Sequence, residues 1–182
     1  VVIGATTNLL FSDEGLRVVA VQIGPGFDGI EVDGRRITCG AGAWVPGLAR
    51  RAMQAGLTGI EHTCGIPGTA GGLVCMNGGS QRRGIGEAVV EVVSVDGEGR
   101  VHRRTAEQCG FAYRRSRFQT NGEIVTGLTI ELGTEKTRGE IRRTMVSILQ
   151  DRQRKFPRKL PNCGSVFVSN PAMYAEYGPP GA

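Results

Sequence analysis

The sequence predicts a mixed protein of short strands and a few helices, on three observations. Short β-branched runs alternate with turn signals along much of the chain. Helical spacing is present at Pro46–Ala55 and again from Thr137. Between them lies a stretch, Cys64–Ser80, in which six of seventeen residues are glycine.

Taken in order, Val1-Val2-Ile3 has no turn or cap before it. It reads as a buried strand entered at the first residue, as if the chain began inside a fold. Gly4 to Asn8 is a turn of small residues, and Leu9-Leu10-Phe11 resumes the apolar run. Val18 to Ile23 and Glu31-Val32 follow as strands, and Asp33-Gly34 is a hairpin signal leading back into Arg36–Cys39. Pro46 to Ala55 is a helix with Leu48, Ala49, Ala52 and Met53 on one face and Gly56 as its stop. Glu87 to Asp96 is a strand that turns through Gly97-Glu98-Gly99 into Arg100-Val101-His102. Thr105 has the character of a helix cap, and Ile124 to Leu132 is a further strand. From Thr137 the spacing of Ile141, Met145, Ile148 and Leu149 is helical, with basic residues on the other face, up to Pro157. Composition shifts near Gly133, so a domain boundary is expected between 133 and 140, giving a unit over 1–135 and the beginning of a second over 136–182.

A length of 182 residues suits one substantial domain or two small ones. The 29 glycines follow no Gly-X-Y period, which excludes collagen. Aromatic residues are 5% of the chain, too few for a stacking platform on single-stranded nucleic acid. The net charge of +5 favours an anionic partner without choosing its kind. Cys39, Cys64, Cys75, Cys109 and Cys163 form no C-x-x-C pair, so neither zinc nor a disulfide framework is expected. With no apolar run of membrane length, a cytoplasmic monomer with neither membrane nor nucleic-acid partner is the expectation.

The glycine-rich stretch carries Ile66, Leu73, Val74 and Met76, which a flexible linker would lack. So many glycines disfavour a helix, leaving a compact loop. Its successive N–H groups suit a nest for an anion, and equally a tight corner between two packed strands. Of the two histidines, His102 reads as an exposed structural residue beside Arg103 and Arg104, and His62 lies next to the loop. Phe111–Phe118 sets arginine among aromatics, either as a basic edge strand or as a cation held for a carboxylate. Asn162–Phe167 presents Ser165 after a glycine turn.

These motifs together resemble those of the UDP-N-acetylenolpyruvoylglucosamine reductase family. The resemblance rests on Gly65-Ile66-Pro67-Gly68-Thr69-Ala70-Gly71-Gly72 with Met76-Asn77-Gly78 behind it, on Tyr113-Arg114, and on Cys163-Gly164-Ser165-Val166-Phe167. Asn8-Leu9-Leu10 and Gly56-Leu57-Thr58-Gly59-Ile60-Glu61 complete the ordered set. It implies an α+β fold: an FAD-binding domain of the vanillyl-alcohol-oxidase (PCMH) type, incomplete at its N-terminus, then the start of an α+β substrate domain. It implies FAD held by Thr7, Asn8, Leu9, Gly65, Ile66, Pro67, Gly68, Thr69, Gly71, Gly72, Asn77 and Gly78. NADPH would be the co-substrate and a UDP-sugar the substrate, held by Tyr113, Lys155 and Asn170. Arg114 would stabilise the charge that hydride addition leaves on the substrate carboxylate, and Ser165 would donate the proton. No glutamate in this chain matches the family's catalytic one, so a fragment, or a non-catalytic FAD- or nucleotide-sugar-binding relative, is the alternative. Ala5 and Thr6 stand where the family has glycine. A left-handed backbone at Thr6 would cost about 1–3 kcal/mol.

Overall fold

The computed structural model describes residues 1–156. Strands β1 (Val2–Ile3) and β2 (Val21–Gln22) form a small parallel ribbon. Strands β3 (Ile30–Asp33), β4 (Arg36–Gly40), β5 (Val89–Val95), β6 (Val101–Thr105) and β7 (Ile124–Glu131) form one antiparallel sheet in the order β3-β4-β7-β5-β6. The Asp33-Gly34 signal closes the β3–β4 hairpin, with Asp33 opposite Arg36 and Gly34 at φ +54°.

One face of this sheet is apolar. On β4, Ile37 and Cys39 are buried while Arg36 and Thr38 are exposed, as strict alternation requires. On β5 and β7 the alternation breaks: Val89 and Val92, and Val125 and Leu128, are buried three residues apart. Register shifts between Val89 and Glu91 and between Val93 and Ser94 explain this, because an extra residue in a strand returns the next side chain to the same face.

Helix α1 (Val45–Gln54) buries Leu48 and Ala52 against that face and stops at Gly56 with φ +74°. Helix α2 (Ala70–Cys75) occupies part of the stretch expected to be all loop. Two glycines inside a helix cost about 1 kcal/mol each. Thr69 offsets this as N-cap, accepting from Gly72 N–H at 3.4 Å, and Ala70, Leu73 and Val74 are buried in the core. The short helix α3 (Ala106–Cys109) starts at the Thr105 cap, with Gln108 Oε1 accepting from Thr105 N–H at 3.0 Å. Helix α4 (Arg138–Lys155) starts at Thr137, whose N–H donates to Glu140 Oε2 at 2.8 Å. It sets Ile148, Met145 and Leu149 against Ala49 and Cys64, packing on α1 and the 3-10 turn Glu61–Thr63.

Three expectations need correction. The first strand is not buried: Val1 is 63% and Val2 41% exposed, because its partner β2 is exposed too. Leu9-Leu10-Phe11 forms no strand and Leu10 is 99% exposed, there being no neighbouring strand among the described residues for it to pair with. Phe111–Phe118 is not an edge strand. It folds into a tight turn closed by Ala112 and Arg115, followed by the 3-10 turn Arg117–Gln119. No helix among the described residues is long and apolar enough to cross a membrane.

A half-buried ion pair secures the far edge of the sheet. Arg104 on β6 forks onto Glu123, with Nε to Oε2 at 2.9 Å, and the buried Ser94 hydroxyl on β5 donates to the same Oε2 at 2.6 Å. The Arg104 hydrogen bond outweighs burial and holds the Glu123 carboxyl at about 2. A carboxyl depressed in this way stabilises the fold above its unfolded pKa near 4 and loses that contribution as pH falls toward 2. Glu123→Ala, which strands Arg104, is expected to cost about 1–2 kcal/mol in urea unfolding at pH 7 and to flatten the stability profile between pH 4.5 and 2. An unchanged acid profile would contradict the assignment.

Candidate functional site

Two segments meet at the front of the core. The turn after β1 touches the glycine loop: Thr7 Oγ1 donates to Pro67 C=O at 2.9 Å, and a Cβ on Gly4 would lie 2.5 Å from Thr69 Oγ1. Gln22 on β2 steadies the turn by donating to Gly4 C=O at 3.2 Å. The loop is pinned from behind by the segment between β4 and α1. Val45 N–H donates to Gly68 C=O at 3.0 Å, Ala70 N–H to Ala43 C=O at 2.8 Å and Gly71 N–H to Ala41 C=O at 2.8 Å.

Two glycines there are required. Gly68 has φ +141°, a region that side chains exclude, and a Cβ on Gly71 would stand 2.8 Å from Ala41 Cβ. Pinning leaves other groups free. Among the described residues, the N–H groups of Ala5, Thr6, Thr7 and Asn8 in the turn, and of Gly65, Gly68 and Thr69 in the loop, donate to no acceptor. Unpaired N–H groups gathered on facing segments suit an anion with several oxygens.

The remaining expected cofactor residues are engaged within the protein. Leu9 N–H donates to Thr6 C=O, Ile66 N–H to Thr63 C=O, Gly72 N–H to Thr69 Oγ1 and Gly78 N–H to Leu73 C=O, while Pro67 has no N–H. The Asn77 carboxamide donates to Ala112 C=O at 2.8 Å and accepts from Gly86 N–H at 2.9 Å.

Tyr113 and Arg114 form the exposed tip of the tight turn, with the Arg114 guanidinium 6.0 Å from the Tyr113 ring centre. The turn is moored to the end of α2, where Ser116 Oγ donates to Cys75 C=O at 2.7 Å. Lys155 is exposed in the last turn of α4. Ser165 and Asn170 lie outside the described residues.

Arg152 is the residue that sequence reading passed over as part of a basic run. Its stem crosses Gly65, where a Cβ would sit 2.8 Å from its Nε, and its guanidinium lies 5.3 Å from the Phe156 ring centre. Burial lowers its pKa, and among the described residues no carboxylate pairs with it. The Phe156 spacing one helical turn on was the available signal; the contact with Gly65, eighty-odd residues away in sequence, left none.

Behind the loop, His62 is 3% exposed and neither ring nitrogen has a partner among the described residues. Burial, then the Arg83 charge, lowers its pKa and keeps it neutral. Beside it burial pushes the Glu61 carboxyl up, but hydrogen bonds from Thr58 Oγ1 and Gly59 N–H, with Lys136 at 3.8 Å, bring it below the usual range. His102, expected to be exposed, is half-buried and donates to Asp96 Oδ2 at 2.8 Å. No group of His, Cys, Asp and Glu among the described residues could hold a metal ion.

A glycine loop pinned against the segment between β4 and α1, beside a second turn of free N–H groups, belongs to an α+β domain. Residues 1–105 match the family described as FAD binding domain, and the chain belongs to that family. The chain is 47% identical over 181 residues to UDP-N-acetylenolpyruvoylglucosamine reductase 1 of Corynebacterium glutamicum, covering 100% of this chain and 54% of that protein. It is 41% identical over 170 residues to the UDP-N-acetylenolpyruvoylglucosamine reductase of Heliobacterium modesticaldum, covering 93% of this chain and 54% of that one. The chain thus spans about half the length of the curated relatives it matches.

Among solved structures, UDP-N-acetylenolpyruvylglucosamine reductase from Thermus caldophilus superposes with a TM-score of 0.81 at 34% identity, over 94% of this chain and 61% of that one. A cholesterol oxidase from Brevibacterium sterolicum shares the fold at a TM-score of 0.52 and 13% identity, over 72% of this chain and 29% of that one. The α+β fold with a vanillyl-alcohol-oxidase-type FAD-binding domain is therefore the one found.

Thr6 has φ +57°, the strained conformation that glycine would relieve, whereas Ala5 is not left-handed. Thr6→Gly is expected to stabilise the protein by up to about 1 kcal/mol in thermal unfolding and not to weaken FAD binding. Ala5→Gly should destabilise slightly. Equal effects of the two substitutions would contradict the geometry.

Proposed function

We propose that this chain is the flavin-binding part of a reductase that acts on the enolpyruvyl group of UDP-N-acetylglucosamine enolpyruvate and yields UDP-N-acetylmuramate. The observation that carries the reading is the joining of two features by α2. The glycine loop with its free N–H groups precedes this helix, and the Arg114 turn is fastened to its far end.

The residues fit FAD. Its pyrophosphate would accept from N–H groups in the Ala5–Asn8 turn and from Gly65, Gly68 and Thr69, with the Arg152 cation beside Gly65. Bound FAD would supply the hydride, drawn from NADPH, that reduces the enolpyruvyl double bond at the carbon β to the carboxylate. Negative charge then builds on that carboxylate, and the planar fork of Arg114 is suited to pair with it. Tyr113, at the same tip, would line the substrate, and Lys155 and Asn170 would hold its anionic and polar groups. Ser165 would protonate the α carbon. On this reading residues 1–135 bind flavin and 136–182 begin the substrate domain, although α4 already packs on α1. The protein would work as a cytoplasmic monomer, in keeping with the free cysteines Cys39, Cys64, Cys75 and Cys109.

The strained Thr6 favours a second reading, a flavin or nucleotide-sugar binder without turnover. One experiment separates them. The complete polypeptide carrying these residues should purify with flavin and oxidise NADPH only when the enolpyruvyl sugar is present. Arg114→Lys should lower kcat about 10²–10³-fold while flavin content holds. A flavin-bearing wild type without turnover would leave the flavin binder, and a colourless one would sink the reductase and the flavin binder and leave only a nucleotide-sugar binder.

A further inference from the structure

We propose that Asn77 is a positioning residue for Arg114: its carboxamide ties the turn that carries the arginine to the end of the helix that begins at the cofactor loop. The proposal deepens the reading of Arg114 as the cation for the substrate carboxylate and rests on it.

Arg114 needs holding. Tyr113 and Arg114 occupy the two tip positions of a turn closed by Ala112 N–H to Arg115 C=O at 3.0 Å and Arg115 N–H to Ala112 C=O at 3.1 Å. Arg114 has φ +53°, a left-handed backbone that disfavours a long side chain and persists only where its surroundings impose it. The side chain is exposed and no carboxylate among the described residues pairs with it, so its aim is set by the backbone of the turn.

Three side-chain hydrogen bonds impose that backbone. Asn77 Nδ2 donates to Ala112 C=O at 2.8 Å, Gln119 Nε2 to Arg114 C=O at 3.1 Å, and Ser116 Oγ to Cys75 C=O at 2.7 Å. Asn77 is the central tie. It follows the C-cap of α2, its own φ of +40° is one that asparagine tolerates, and its Oδ1 is fixed by Gly86 N–H at 2.9 Å. Gly84 leaves room for it, since a Cβ there would stand 2.5 Å from Asn77 Oδ1. With donor and acceptor both used on protein backbone, the carboxamide links loop and arginine across a helix roughly 9 Å long.

Asn77→Asp tests this in the complete polypeptide. The substitution keeps size, backbone tolerance and the acceptor for Gly86, but sets a carboxylate oxygen against Ala112 C=O. The expected result is a fall in kcat of about 10²-fold with flavin content unchanged. In the same protein the amide order parameters of Tyr113 and Arg114 should fall from about 0.85 to below about 0.6. A loss of flavin that matches the loss of kcat would make Asn77 a cofactor contact and overturn the proposal, as would unchanged turnover. If the wild type lacks reductase activity, the functional reading fails, and the order parameters alone decide the positioning role: rigid in both proteins overturns it, loosened in the variant supports it. Should the variant not fold, Asn77→Ser, which keeps a polar side chain but is too short to reach Ala112 C=O, is read by the same two measurements, with unchanged turnover and order parameters overturning the proposal.

Discussion

Close backbone approach between residues 41–45 and 68–71 is the constraint on which the site depends. Three N–H to C=O bonds and the contact of Gly71 with Ala41 hold the glycine loop against the start of α1. Because the bonds use the N–H groups of Val45, Ala70 and Gly71, those of Gly68 and Thr69 remain free for a ligand. The packing that buries α2 thus selects which donors face outward.

The same packing reaches the other end of the helix. Buried Leu73 and Val74 seat α2 in the core, and the residues after it carry the ties to the Arg114 turn. A glycine loop and a cationic turn far apart in sequence are thereby placed on one rigid element. Rigid support for both ends matters because misplacement by about 1 Å can cost 10²-fold in rate. Strain collects here as well, at Thr6, Asn77 and Arg114, each left-handed without being glycine.

Much of the framework was legible because its signals are local. Leu48, Ala49 and Ala52 share a helical face with Gly56 to end it, Thr137 and Glu140 form a capping box, and Asp33-Gly34 closes a hairpin. Helix α2 was not legible, since Gly71 and Gly72 argue against a helix and its support comes from Ala41 and the core. The β1 run promised burial through its composition, yet exposure is decided by neighbours that composition does not name. At the candidate site, the ordered motifs singled out the loop and Arg114, and the structure ties both to α2. The roles of Asn77 and Arg152 depend on contacts with Ala112 and Gly65, distant in sequence, and no local pattern encodes them.

The central claim is that backbone N–H groups of two facing segments hold a pyrophosphate. Trp44, the single tryptophan, is 47% exposed and sits directly opposite Thr69 of the loop, so its fluorescence reports occupancy. The most direct measurement is displacement of FAD from this chain, followed by recovery of that fluorescence, with ADP and adenosine compared as competitors. They differ only in the pyrophosphate. Two charge-assisted hydrogen bonds to it predict that ADP competes at least about 10²-fold better. Equal competition by adenosine would contradict the account.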